Sequence, residues 1–160
     1  GVAVMIVRAI RKPDRASTIP LTVRGLCSGQ IGYNQERMDR TSAEEIAHEL
    51  LRIKMRVWPE LLRIYKTGVE YPINTIIIDP VWVDPKHSAG IKCVPGEWVI
   101  TLNPLTRWGT DRQYDYRNAF AFELATSIRG QLYGRDYAGT AINHEDDVKL
   151  KHAKPLWQDI

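Results

Sequence analysis

Long apolar runs are missing from this chain. None approaches the roughly 20 residues that a membrane-spanning helix requires, so no membrane partner is expected. Cysteine is scarce: Cys27 and Cys93 are the only two, far apart and outside any ligand-spaced pair. That excludes a disulfide scaffold and a cysteine-based zinc site; two reduced thiols are the simpler reading, beside one long-range disulfide. No G-x-G-x-x-G and no G-x-x-x-x-G-K-S/T occurs, so no nucleotide loop is signalled. Ser88 and Ser127 have no histidine at a recognisable offset, and neither cysteine sits in a motif that flags an activated thiolate. A one-sided charge is lacking too. With 22 basic and 19 acidic residues the net charge is +3, which permits contact with nucleic acid without arguing for it.

What is present is ordinary globular material. The 160 residues are 44% hydrophobic and 26% charged, enough for one domain with a real core. The opening GVAVMIVRAI turns from apolar to basic, the reverse order of a signal peptide. It reads as a strand over 2–10, and a cytoplasmic protein is expected. Residues 18–26 form a looser strand, with Pro20 at its start or on an edge. Gly25, Gly29 and Gly32 then break the pattern, and 27–40 reads as a loop. Residues 1–40 are therefore an N-terminal arm whose attachment is open, and 41–160 the main domain.

Thr41 and Ser42, followed by Glu44 and Glu45, mark a helix start. Ile46, Leu50, Ile53, Val57, Leu61 and Ile64 recur at spacings of three and four, giving one stripe to about Tyr65. Pro59 predicts a kink or two abutting helices, and Gly68 an end. Arg52, Lys54, Arg56, Arg63 and Lys66 fall largely off the stripe, as a solvated face or a basic surface for nucleic acid. His48-Glu49-Leu50-Leu51-Arg52 is H-E-x-x-H with arginine for its second histidine, so it offers one ligand rather than two. Residues 74–83 are strand-forming. A turn at 84–90 leads to a hairpin of 91–94 and 97–102 around Pro95-Gly96.

The chain is organised around residues 116–152. A carboxylate between 111 and 115 caps a helix whose core stripe is Ala121, Leu124, Ala125, Ile128 and Leu132. Asn118, Phe122 and Thr126 line an adjacent face. After a Gly-broken loop, Asn143 caps a short helix that opens with His144, Glu145, Asp146 and Asp147 and closes with Lys149, Lys151 and Lys154. Pro155 stops it, and Trp157 is expected to fold back onto the core. The fold class expected is α+β: a small, mostly antiparallel sheet with helices 43–67 and 115–133 on one side and a short C-terminal helix.

The order of parts resembles the SprT/Spartan-like zinc metallopeptidases. It rests on SAGIKCVPGEWVITLNPL at 88–105, FELAT at 122–126 and NHEDDVKLKH at 143–152, and covers roughly residues 43–152. By this resemblance Glu123 stands at the general-base glutamate, His144 near the third zinc ligand, and His87 near the substrate-binding edge. Phe122 and Thr126 stand where the first two zinc ligands would be. Phenylalanine donates nothing and a neutral threonine hydroxyl is a poor ligand, whereas catalytic zinc needs three protein ligands and a water. No cofactor is expected on this reading.

The leading expectation is thus a metal-free, metallopeptidase-like module, zincin-like in fold, that binds a protein partner or serves structurally. The family's occurrence in bacteriophages and mobile elements makes a phage-encoded protein of host cytoplasm or virion an expectation by resemblance. Two alternatives stay open. A divergent metal-dependent hydrolase would use Glu123 and His144, with zinc or another divalent ion held by nearby carboxylates and His152. A nucleic-acid-binding accessory protein would use Arg52, Arg56, Arg63 and the aromatics Tyr114, Tyr116, Phe120, Phe122, Tyr133 and Tyr137, unless that cluster simply fills a former cleft.

Overall fold

The computed structural model describes residues 17–81, 91–94, 96–134 and 144–160. The expected strand at 2–10, the turn at 84–90 with His87, the loop carrying Tyr137, and the Asn143 cap lie outside them. So do the side chains of 91–94, Cys93 among them, and of His144.

Helix α1 (Arg40–Tyr65) carries the stripe seen in the sequence: Ala43, Ala47, Leu50, Ile53, Val57, Leu61 and Tyr65 are buried along it. Its start differs from the expectation. Asp39 is the cap, its carboxylate accepting the Ser42 N–H at 2.7 Å, and Thr41 and Ser42 are already helical. A charged acceptor one residue before the first turn satisfies a free amide there. Pro59 neither splits nor ends the helix. It lies on the exposed face, where solvent can take the carbonyl it leaves unbonded. The end falls at Lys66, not Gly68. Lys66 adopts left-handed angles (φ 50, ψ 49), and the N–H groups of Lys66 and Thr67 return to the carbonyls of Arg63 and Leu62.

The sheet has five strands in the order β1-β2-β3-β5-β4: β1 (Thr18–Leu21), β2 (Ile31–Asn34), β3 (Thr75–Ile78), β4 (Ile91–Val94) and β5 (Val99–Leu102). The α+β class stands, with a mixed sheet in place of a mostly antiparallel one. β2, β3 and β5 run parallel at the centre, and only the edge pairs β1–β2 and β4–β5 are antiparallel. The expected hairpin is β4–β5, which folds β4 to the outside so that β5 lies beside β3. β2 sits within the stretch read as loop, and its four residues are all buried. The glycines there mark close approaches rather than breaks. A Cβ on Gly32 would meet Thr18 Cγ2 at 2.6 Å, and one on Gly29 would collide with the Asn74 carbonyl. Pro20 lies on edge strand β1, where a missing N–H is tolerated.

Residues 17–40 are therefore joined to the rest. Leu21, Val23, Leu26, Ile31 and Tyr33 share one core with α1 and with Ile76, Ile78, Ile100 and Leu102 of β3 and β5. Helix α2 (Tyr116–Tyr133) packs on α1 and contributes Phe120, Leu124 and Ile128 to that core, while Leu132, expected in its stripe, is 36% exposed. Helices α3 (His144–Ala153) and α4 (Pro155–Gln158) follow, and Trp157 is buried as expected. No helix among the described residues is long and apolar enough to cross a membrane.

Candidate functional site around helix α2

Asp115 caps α2, accepting the Arg117 N–H at 2.9 Å, while the Asn118 side-chain oxygen accepts the Asp115 N–H at 3.0 Å. This reciprocal arrangement is a capping box. The same Asn118 amide donates its N–H to the Trp157 carbonyl. One buried side chain thereby fixes both the start of α2 and the position of α4.

Along the next turn, Phe122 stands edge-on to Trp157, with ring centroids 5.5 Å apart and planes at 82°. Thr126 donates its hydroxyl to the Phe122 carbonyl at 3.1 Å, a bond within the helix that occupies its proton locally. Glu123 lies half-buried on the same helix. His144 opens α3. Arg129 of α2 and Asp146 of α3 form an ion pair at 3.0 Å, each side chain 1% exposed. Asp146 therefore does not face solvent with Glu145 and Asp147, which pair with Lys149 and Lys151 one turn on. Tyr65 of α1 adjoins this pair. Burial pushes its hydroxyl up to about 12, with the Arg129 guanidinium pulling the other way.

Beside the α2 start, an open groove of about 440 Å³ runs between the two long helices, lined by Glu45, Ile46, Glu49, Arg52, Tyr116 and Arg117. Burial, then the carboxylates of Glu49 and Asp115, raise the Tyr116 hydroxyl. Arg117 is held by Asp115 at 2.9 to 3.1 Å. Adjoining the groove is a two-stranded excursion, β6 (Arg107–Trp108) and β7 (Tyr114–Asp115), closed by a 3₁₀ turn (Thr110–Arg112). Asp111 and Arg112 both take left-handed angles (φ 59 and 54), a cost of about 1–2 kcal/mol each for residues with a Cβ.

The aromatics proposed as one cluster are divided among different surroundings. Phe120 is in the core, Tyr116 in the groove, Tyr114 against Trp108 (5.7 Å), and Phe122 against Trp157. Tyr133 is half-buried at the end of α2. The basic face of α1 is likewise interrupted, since Arg52 holds Glu49 and Arg63 holds Glu60, leaving Arg56 exposed. Cys27 is a free, half-buried thiol whose pKa is raised by burial, the reverse of an activated nucleophile. Among the described residues no three His, Cys, Asp or Glu side chains are placed to hold a metal ion.

Comparison with protein-family models, with curated proteins and with solved structures finds no match. Sequence reasoning missed Arg129, its buried pairing with Asp146 beside Tyr65, and the 107–115 excursion; it had read Asp146 only with Glu145 and Asp147 at the helix start, and Tyr65 only as the end of the α1 stripe. A signal existed for Arg129: it lies four residues after Ala125 and next to Ile128, both read as part of the buried stripe.

Proposed function

We propose that this chain is a metallopeptidase-like module that works without a metal, as a protein-binding or structural element. The supporting observation is the donor set on α2. Phe122 offers no donor atom and is spent on Trp157, and the Thr126 proton is spent on the helix's own backbone. These residues do not fit a zinc ion that needs two ligands one turn apart. Such an ion would also tie the α2 helix to a later one, and here the Arg129–Asp146 pair makes that tie directly. The order α1, β3, the β4–β5 hairpin, α2, then α3 opening at His144 follows the order of parts on which the resemblance rests.

The test is elemental mass spectrometry of protein purified without chelator or histidine tag. Less than about a tenth of an equivalent of any transition metal is the expected result, because a catalytic site binds its ion stoichiometrically. Near one equivalent of zinc overturns the reading in favour of a hydrolase using Glu123 and His144. In that case chelator and Glu123→Gln would each abolish a peptidase activity.

A further inference from the structure

The 107–115 excursion and the α1–α2 groove are neighbours with complementary, unused features. Residues 107–113 are all exposed, Leu105 is 68% exposed and Trp108 37%. Two consecutive left-handed residues at its tip are thus maintained on a projection that buries almost nothing. Backbone of that kind clusters at functional sites, and Trp, Tyr and Arg are the residue types that anchor interfaces. Gly109 is required by the same construction, since a Cβ there would meet Tyr114 at 2.7 Å.

The local charges decide the class of partner. Arg107 and Arg117 both lean on Asp115, so the excursion is not a phosphate-binding strip. Arg112 has no ion pair among the described residues. In the groove, Glu49 is matched by Arg52, but Glu45, exposed on α1, has no ion pair among the described residues either. Ile46 and the Tyr116 ring supply apolar wall beside it. One surface therefore offers a tryptophan with a spare guanidinium, and the adjacent one a slot with a spare carboxylate.

We propose that two copies of the chain pair by exchange: the Trp108–Arg112 tip of each enters the Glu45–Tyr116 groove of the other. The two patches meet through Asp115 and Arg117, so a twofold axis between copies sets each tip opposite its partner's groove and closes both contacts at once. This pairing does not depend on whether the chain binds metal.

Sedimentation velocity of the full chain tests it, over roughly 1 μM to 1 mM, where small polar interfaces dissociate. A reversible shift from one chain's mass to two is expected. Trp108→Ala and Glu45→Arg should each weaken the dimer roughly tenfold or more, and Glu45→Arg/Arg112→Glu should recover most of what Glu45→Arg alone loses. Glu45 lies on the solvent face of a long helix, so its variant reads out pairing even if Trp108→Ala disturbs the excursion. A monomer throughout, a dimer indifferent to Glu45→Arg, or a double swap no better than the single changes overturns the proposal.

Discussion

Helices α1 and α2 pack on one another, yet they use their residues in opposite ways. α1 is sharply two-sided: its inner stripe is apolar, and its outer face carries short-range ion pairs such as Arg40–Glu44 at 3.0 Å and Arg63–Glu60 at 2.8 Å. α2 has almost no sidedness, and it buries Asn118, Ser127 and Arg129 together with its apolar residues. A buried polar group is tolerated only where a specific partner meets it. α1 therefore contributes area, which tolerates many sequences, while α2 contributes individual contacts, which do not.

The largest test of that contrast is the buried pair. Arg129→Met alone should destabilise the fold by about 3–5 kcal/mol in chemical denaturation, since it strands a buried carboxylate. Adding Asp146→Leu should restore most of the loss, because two apolar side chains need no partner. If the double change is as damaging as the single, α2 contributes packing like α1 and the contrast fails. On α1 the effect should follow burial alone. Leu50→Ala, with Leu50 fully buried, should cost about 2–5 kcal/mol, and Met55→Ala, 69% exposed, no more than about 0.5 kcal/mol. A pH-dependent effect concerns Tyr65, where the two helices meet. Its hydroxyl is raised from 10.0 to about 12, so its contribution is fully present below pH 10 and is lost as pH rises towards 12. A tyrosinate absorbance titration should show a late step near pH 12 that Tyr65→Phe removes.

Much of the frame was legible in the sequence because its signals are local. The α1 stripe follows from spacings of three and four, the β4–β5 hairpin from its Pro-Gly turn between two strand-forming runs, and the helical starts at 116 and 144 from the carboxylates placed at them. Partner choice between strands has no such signature. β2 is four residues with a glycine inside, and Gly29 and Gly32 are dictated by the Asn74 carbonyl and Thr18, which are close only after folding. The parallel centre of the sheet was illegible for the same reason, since each parallel pair joins segments separated by a long connection. The α1 cap was misplaced from Asp39 to Thr41 and Ser42 because several polar residues lie near that helix start and any could serve, whereas Asp115 falls within the 111–115 range expected to cap α2. Asp146 was hidden by company: between Glu145 and Asp147, a carboxylate complementing the helix dipole and one paired with a buried arginine look alike.

The double duty of Asn118 has a consequence for how the molecule opens. Its oxygen closes the first turn of α2, and its N–H holds the chain 39 residues later at Trp157, while Arg129–Asp146 fastens the far end of the same helix to α3. The last 17 residues are thus riveted to α2 at both ends, and neither can fray without exposing the other's buried polar groups. In the language of local unfolding, α2, α3 and α4 form one cooperative unit, and the C-terminal helices act as a splint along it.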